Sequence, residues 1–301
     1  MTLAAIPVAA LGGDLFLKGM LGLATWSRLP RFLVATTLAA FATSSPELTL
    51  STMAALSGKP EIGLGDALGS NVVNIALILG LSLAFGAMPA SLEGLRRDYL
   101  LAVATPLVTL VLCLDGTVSR LDGGILLALF ASWLAMVFRQ GIASRRTTEH
   151  APQSEISLVL ALLGGIAGLA CLILAGILFV DGASDIAAGL GVQDYVIGAT
   201  IVAIGTSMPE LVTTLLSRLR GQHDLSLGIL LGSCLFNGLA VIGIASAIQA
   251  IHAPQPEVGL ALVFGVVAVL MMQPRGGEIA RYRGAILLAL YLAFVVTTAA
   301  M

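Results

Sequence analysis

Apolar segments long enough to cross a bilayer recur along the whole chain, and they restrict its fold more than any other feature. A transmembrane helix needs about 20 mostly apolar residues. Hydrophobic residues make up 58% of the chain and charged residues 11%, whereas soluble domains contain about 45–50% and about 25%. We therefore expect an all-α integral membrane protein whose function is carried in the bilayer or at its surface.

Ten apolar segments are predicted, five on each side of one polar break. They lie near residues 2–26, 31–56, 64–88, 98–115, 121–139, 157–189, 193–217, 225–250, 256–273 and 283–300. The predicted organisation is a first five-helix unit over residues 1–140, a cytoplasmic linker over 141–156 and a second five-helix unit over 157–301.

The arginines predict the orientation, because Lys and Arg concentrate in short cytoplasmic loops. With the N-terminus outside, only Lys59 and Arg120 fall in outer loops, and most other basic residues fall in inner loops or the linker. Both termini then face outward, and the linker lies on the cytoplasmic side. The basic residues form no patch that would bind nucleic acid, so we expect no nucleic acid partner. The apolar segments are expected to contact the lipid bilayer.

A second copy of the central sequence lies 163 residues further along the chain, in an alignment without gaps. Phe41-Ala-Thr-Ser-Ser-Pro-Glu-Leu48 aligns with Ile204-Gly-Thr-Ser-Met-Pro-Glu-Leu211, and Gly69-Ser-Asn-Val-Val-Asn74 aligns with Gly232-Ser-Cys-Leu-Phe-Asn237. The copies lie within residues 34–80 and 197–243. Because five helices per unit is an odd number, the two repeats are expected to be inverted. Inverted repeats with interrupted helices are typical of secondary transporters, which bind substrate near the bilayer midplane.

Glu47 and Glu210 occupy equivalent positions of the two copies, inside apolar segments. A charged group at the centre of a transmembrane helix costs about 2.5–3.5 kcal/mol even on the gentler insertion scales. A single glutamate could be a protonated, hydrogen-bonded packing residue. Two at matching positions favour a functional role.

Pro46 and Pro209 interrupt helical hydrogen bonding, and we expect them to release carbonyl groups near Ala42 and Gly205. Free carbonyls, hydroxyls and a carboxylate together form the set of hard oxygen ligands that Ca²⁺ or Na⁺ requires. The hydroxyls close to the prolines are those of Thr43, Ser44, Thr206 and Ser207. The alternative is a simple proline kink in which Ser and Thr re-satisfy the backbone.

Polar side chains also share one face of the following helix in each copy. Ser70 and Asn74 are four residues apart, as are Ser233 and Asn237, so each pair can point at one cavity. Close packing through the neighbouring glycines is a compatible interpretation of the same segments.

The formal charge of the expected site is at most −2, from two glutamates. One Ca²⁺ or two protons neutralise this charge, and three Na⁺ would exceed it by about one unit. Asp66 has no acidic counterpart, since Ile229 holds the equivalent position. The sequence leaves open whether Asp66 lies at a cavity mouth or simply near the start of its helix.

The paired motifs resemble the two α-repeats of the sodium/calcium exchanger family, within the cation/Ca²⁺ antiporter superfamily. The resemblance covers essentially the whole chain, which looks like a compact prokaryotic-type member. It implies that the cation ligands are the carboxylates of Glu47 and Glu210, the amides of Asn74 and Asn237, hydroxyl or carbonyl oxygens of Thr43, Ser44, Ser70, Thr206, Ser207 and Ser233, and the backbone carbonyls of Ala40 and Ala203. The chain departs from the family pattern at Ala42, Cys234 and Asn237, which affects the expected ion preference more than the fold.

This resemblance implies a secondary-active antiporter that exchanges Ca²⁺ for Na⁺ by alternating access, with the first helix of each repeat sliding against the rest. A proton-coupled exchanger for Ca²⁺ or another divalent cation, on the same fold, is the alternative. A channel or an intramembrane hydrolase fits the sequence less well, so we expect no enzyme activity. The only expected ligands are the transported ions, without a cofactor, and we expect a functional monomer.

The predicted orientation can be tested by cysteine labelling in a background without the native cysteines. We expect Lys59→Cys to react with an impermeant maleimide added outside the cell, because Lys59 falls in an outer loop. Arg145→Cys, in the linker, should react only from the inside. The reverse labelling pattern would contradict the orientation inferred from the basic residues.

Overall fold

The structure is a computed structural model of the 301-residue chain, and it describes residues 2–90, 92–147, 157–189, 201, 203–253 and 255–300. Helices dominate these residues. Six segments are long and apolar enough to cross a membrane: Ala4–Ser27, Pro60–Ala84, Arg120–Ala143, Leu158–Gly182, His223–Ile248 and Tyr282–Ala300. Two shorter apolar helices are Arg31–Thr43 and Pro256–Met271. The predicted helical membrane architecture is confirmed to this extent, and the count of ten spans stays a prediction.

The helices follow one another along the chain with few long connections. The first eight are α1 Thr2–Ser27, α2 Arg31–Val34, α3 Ala40–Thr43, α4 Ser45–Leu56, α5 Pro60–Val72, α6 Gly80–Ala84, α7 Leu92–Leu112 and α8 Arg120–Thr147. The others are α9 Leu158–Gly189, α10 Ala203–Thr206, α11 Met208–Leu219, α12 His223–Leu235, α13 Ile242–Ile248, α14 Gln255–Met271 and α15 Tyr282–Ala300.

Wider π-helical turns connect several of these helices. They span Ala35–Ala39, Val73–Leu79 and Phe236–Val241. The last two lie at nearly equivalent positions of the two sequence copies and contain Asn74 and Asn237. Since π-helical turns occur frequently at functional sites, these two positions are candidates for a shared role.

Helix α8 extends past the predicted start of the linker at residue 141. Its described part reaches Thr147, because Ala143, Arg145 and Arg146 favour helix and no proline occurs before Pro152. The rest of the predicted linker and the beginning of the predicted span 193–217 lie outside the described residues.

Helix α7 begins earlier than the predicted span 98–115 and carries charged residues in its first turns. Asp98 is 1% exposed, and it forms an ion pair with Arg97 at 2.7 Å. Its Oδ1 atom also accepts a hydrogen bond from Trp133 Nε1 at 2.7 Å. These partners compensate the buried charge, which explains why the helix tolerates it.

Four two-residue strands join loops from the two halves of the chain. Met88–Pro89 (β1) pairs antiparallel with Glu278–Ile279 (β4), and Thr117–Val118 (β2) pairs antiparallel with Ile251–His252 (β3). Each pair therefore takes one strand from the first half and one from the second. The backbone of each half is thus hydrogen-bonded to the other at two places.

Glycines also allow helices of the two halves to approach each other closely. A Cβ atom on Gly123 of α8 would lie 2.8 Å from the carbonyl oxygen of Gly243 in α13. A Cβ atom on Gly284 of α15 would lie 2.9 Å from the carbonyl oxygen of Gly80 in α6. Both contacts require the absence of a side chain, and they bring the halves together around the central helices.

Helices α1 and α9 pack along each other through small residues. A Cβ atom on Gly168 would collide with the Phe16 backbone nitrogen and lie 2.7 Å from the Gly12 carbonyl oxygen. Such small-residue contacts let two helices approach closely in a membrane. Asp14 of α1 pairs with Lys18 at 2.8 Å and also with Arg220, directly after α11, so its charge is compensated by two basic side chains.

The close approach of α1 and α9 predicts different effects for one substitution at two glycines of α9. Gly168→Ala should destabilise the protein by about 1–3 kcal/mol, because its methyl group overlaps the α1 backbone. Gly164→Ala is the matched control, since its Cβ would lie 3.5 Å from the Leu15 carbonyl oxygen, an ordinary contact. Thermal unfolding in detergent measures both, and equal unfolding midpoints would contradict the packing.

Candidate functional site

Glu47 and Glu210 lie in the first turns of α4 and α11, and both are 0% exposed. Each helix begins directly after a serine with non-helical backbone angles: Ser44 has φ −85° and ψ 10°, and Ser207 has φ −82° and ψ 12°. The first backbone N–H groups of a helix have no helical acceptor, and a helix N-terminus favours negative charge. The two helix N-termini therefore stabilise the negative charge of each carboxylate in the apolar interior of the bundle.

The serines that precede these helices bond the glutamate of the opposite half. Ser44 Oγ donates to Glu210 Oε1 at 2.9 Å, and Ser207 Oγ donates to Glu47 Oε1 at 3.2 Å. The same displacement of 163 residues relates the two bonds. Ser233 Oγ also donates to Glu210 Oε1, at 3.0 Å. The two sequence motifs consequently meet face to face in the interior.

Several polar atoms of this group have no hydrogen-bond partner within the part of the chain that the structure describes. They are the second carboxylate oxygens of Glu47 and Glu210, the hydroxyl of Ser70 and both amide atoms of Asn74 and Asn237. All five residues are 0% exposed. A buried polar group without a partner costs about 1–3 kcal/mol, and a charged group costs more.

No basic side chain compensates the two glutamates among the ion pairs of the described residues. The group thus combines negative charge with neutral oxygens that have unused lone pairs. A hard cation satisfies both at once, since Ca²⁺ takes carboxylate, carbonyl and amide oxygens as ligands. The chemistry of the cluster fits cation binding.

Two threonines repeat one local contact in the two halves. Thr43 Oγ1 lies 3.3 Å from the Ala40 carbonyl oxygen, and Thr206 Oγ1 lies 3.1 Å from the Ala203 carbonyl oxygen. Both carbonyls also accept a backbone hydrogen bond, Ala40 from Ser44 at 2.9 Å and Ala203 from Ser207 at 3.2 Å. A carbonyl oxygen has two lone pairs, so each of these carbonyls keeps one lone pair beyond its backbone hydrogen bond, and the threonine hydroxyl lies next to it.

The expectation that Pro46 frees a carbonyl near Ala42 is wrong. The Ala42 carbonyl oxygen accepts a hydrogen bond from Ser45 Oγ at 2.7 Å. The helix break occurs at Ser44 instead, and Pro46 falls in the first turn of α4, where a missing N–H costs nothing. The Gly205 carbonyl lies against Gly176 of α9. A Cβ atom added to Gly176 would lie 2.5 Å from the Gly205 carbonyl oxygen.

Hydrogen bonds connect five of the twelve predicted ligand residues in two groups: Ser44 and Ser233 with Glu210, and Ser207 with Glu47. Ser70, Asn74 and Asn237 are buried on the helices that follow. The remaining four are the two threonines and the two alanines described above.

The sequence left open whether Asp66 lies at a cavity mouth or simply near the start of its helix, and the structure shows which residues it contacts. Thr206 Oγ1 lies 3.2 Å from Asp66 Oδ1, so Asp66 contacts a predicted ligand residue. One signal could have found it: Asp66, Ser70 and Asn74 follow one another at intervals of four residues, which places them on one helical face.

A cavity of about 190 Å³ adjoins this group. Pro46, Pro209 and Thr206 line it from the helix breaks, and α9 contributes its other wall. Asp181 of α9 lies at its edge and is exposed. The cavity therefore extends from an exposed carboxylate to the hydroxyl of Thr206.

Comparison with known proteins decides the family. The family described as sodium/calcium exchanger protein matches residues 1–139 and 160–300 of this chain. The chain belongs to the sodium/calcium exchanger family. It is similar to an uncharacterised membrane protein of Methanocaldococcus jannaschii, at 33% identity over 93% of this chain and 91% of the relative.

Two further relatives of this exchanger-family chain carry functional names. The sodium/calcium exchanger MaX1 of Methanosarcina acetivorans is 24% identical, over 95% of this chain and 93% of its own. The structure of the sodium-calcium exchanger NCX_Mj, soaked with 2.5 mM Na⁺ and 0.1 mM Ca²⁺, matches with a TM-score of 0.83 and 29% identity, over 98% of this chain and 96% of that chain. This exchanger-family chain is accordingly an integral membrane protein, and its family consists of transporters.

The bonds across the two halves predict unequal roles for two adjacent serines. Ser44→Ala removes a donor from the buried Glu210 carboxylate and should destabilise the protein by about 1.5–3 kcal/mol. Ser45→Ala is the matched control, because its hydroxyl bonds only the Ala42 carbonyl of the preceding turn. Unfolding midpoints in buffer without Na⁺ and Ca²⁺ measure both, and an equal loss would contradict a special role for the Ser44 bond.

Proposed function

We propose that this exchanger-family chain is a secondary-active antiporter that exchanges Ca²⁺ for Na⁺ across the membrane by alternating access. The family match and the likeness to NCX_Mj support cation/Ca²⁺ antiport. One observation carries the proposal: two fully buried glutamates accept hydrogen bonds across the halves, and each keeps one oxygen without a protein partner among the described residues.

The proposed ion site contains the carboxylates of Glu47 and Glu210 at its centre. Around them we place the oxygens of Thr43, Ser44, Ser70, Asn74, Thr206, Ser207, Ser233 and Asn237, with the backbone carbonyls of Ala40 and Ala203. The Coulomb attraction between the two carboxylates and one Ca²⁺ is strong in a site of low dielectric constant, and their charges cancel.

The choice of Na⁺ as the coupling ion rests on the neutral oxygens. A proton needs only a carboxylate, whereas Na⁺ needs a shell of oxygen ligands. Ser70, Asn74 and Asn237 offer such oxygens, and none of these oxygens has a hydrogen-bond partner within the described ranges. Coupling to protons, or transport of another divalent cation, is the competing function that the experiment below separates.

We further propose ten transmembrane helices in two inverted five-helix repeats, residues 1–140 and 157–301, joined by a cytoplasmic linker. The exchanged serine–glutamate bonds support this arrangement, as do the strand pairs β1–β4 and β2–β3. Both termini would face outward, and the site needs residues of one chain only, which supports a monomer as the transporting unit.

Alternating access requires one part of the protein to move against the site. The pair α1–α9 is suited to this role, because glycines such as Gly12 and Gly168 leave few side chains between the two helices. The cavity between α9 and the helix breaks then gives ions a path along Asp181 and Thr206. Rigid-body rocking of this kind around a fixed site is the general mechanism of such transporters.

The carboxylates are tested in proteoliposomes loaded with Na⁺, with uptake of radioactive Ca²⁺ as the readout. Glu47→Gln and Glu210→Gln should each reduce Na⁺-driven Ca²⁺ uptake at least tenfold, because half of the counter-charge for Ca²⁺ is lost. Glu61→Gln is the matched control, since Glu61 is exposed on α5. Normal uptake by either site variant would show that the glutamates are structural.

The same proteoliposomes identify the coupling ion. We expect an outward Na⁺ gradient at fixed pH to drive Ca²⁺ uptake by the wild type, and a pH gradient without Na⁺ to drive none. Uptake that follows the pH gradient and ignores Na⁺ would replace the sodium assignment with proton coupling.

A further inference from the structure

Asp66 is an acidic residue next to the proposed ion site that the proposed ligand set does not use. Its Oδ1 atom lies 3.2 Å from Thr206 Oγ1. Its Oδ2 atom is buried and has no hydrogen-bond partner among the described residues. A carboxylate oxygen without a partner in the protein interior is costly unless a bound group satisfies it.

The hydroxyl of Thr206 cannot donate a hydrogen bond to both of the acceptor oxygens near it. Thr206 Oγ1 is within hydrogen-bond distance of both Asp66 Oδ1 and the Ala203 carbonyl oxygen, at 3.2 and 3.1 Å. A threonine has one hydroxyl proton and can donate it to one acceptor at a time. Carboxylate, hydroxyl and carbonyl oxygens thus converge with fewer protons than acceptors, which is an arrangement that a hard cation completes.

Asp66 also lies on the side of the site that the cavity reaches. Thr206 lines the cavity of about 190 Å³, so the residue that contacts Asp66 also faces the space through which ions would enter. Asp66 precedes Ser70 and Asn74 by one and two helical turns on the same face of the helix. The three residues form one polar row that leads from Thr206 to the π-helical turn at Asn74.

The other half of the protein has no equivalent of this carboxylate. Ile229 occupies the matching position, is 0% exposed and packs in an apolar cluster with Phe16, Leu17 and Leu172. Thr43 is fully buried, whereas its counterpart Thr206 is partly exposed. The two halves therefore place different charges at equivalent positions, and only the first contributes a third carboxylate.

We propose that Asp66 is a cation ligand of the ion site, which binds a monovalent cation together with the Thr206 hydroxyl and the Ala203 carbonyl. The two glutamates balance one Ca²⁺ or two Na⁺, and Asp66 adds the charge that balances one further Na⁺. The charge of Asp66 therefore contributes more to the binding of Na⁺ than to the binding of Ca²⁺. This inference deepens the proposed function and rests on it for the identity of the ions.

The test uses the purified full-length protein in detergent and measures bound radioactive Ca²⁺ and its displacement by Na⁺. Asp66→Asn keeps the size of the side chain and an oxygen that accepts from Thr206, and it removes only the charge. We expect the Na⁺ concentration that displaces half of the Ca²⁺ to rise by about tenfold. We expect the Hill coefficient of displacement to fall by about one, with a smaller change in Ca²⁺ affinity measured without Na⁺.

Glu61→Gln provides the matched control, because it removes one exposed charge from the same helix and should behave as the wild type. Asp66→Asn with wild-type Na⁺ displacement would overturn the proposal. An equal loss of Na⁺ and Ca²⁺ binding, accompanied by a lower unfolding midpoint without ions, would assign Asp66 a structural role and overturn it too. Failure of Na⁺-driven Ca²⁺ uptake in wild-type proteoliposomes would contradict the exchange itself, and the binding measurement distinguishes that result from a failure at Asp66.

Discussion

The structure depends on burying two carboxylates in an apolar bundle in which, among the described residues, no basic side chain pairs with them. Glu47 and Glu210 are stabilised by helix N-termini and by serine hydroxyls that come from the opposite half. Neutral donors hold each carboxylate in place without cancelling its charge. A lysine or arginine in the same position would form an ion pair and compete with a transported cation.

This arrangement makes the two halves of the chain interdependent. Ser44 of the first half bonds Glu210 of the second half, and Ser207 of the second half bonds Glu47 of the first half. The strand pairs and the close contacts at Gly123 and Gly284 hold the halves in the register that brings these groups together. By contrast, α1 and α9 meet each other over backbone and small residues, and they contact the second site motif at Gly176 and through the Asp14–Arg220 ion pair.

Much of this could be predicted from the sequence, because apolar length and a repeat that aligns without gaps are properties of the residues themselves. The helical architecture and the paired positions of Glu47 and Glu210 follow from them. The position of the helix break at Ser44, rather than at Pro46, could not be predicted, whereas the bonded Ala42 carbonyl agrees with the alternative in which a serine re-satisfies the backbone. The role proposed for Asp66 rests on a contact with Thr206 from the other half, which repeat symmetry does not supply.

The most direct test of the central claim is to locate a bound divalent cation in crystals of the wild-type protein soaked with Sr²⁺, a heavier substitute for Ca²⁺. Anomalous scattering then marks the cation independently of the protein atoms. The account predicts one strong peak between Glu47 and Glu210, at about 2.3–2.6 Å or slightly more from an oxygen of each carboxylate. A peak elsewhere, with no cation between the two glutamates at saturating Sr²⁺, would contradict it.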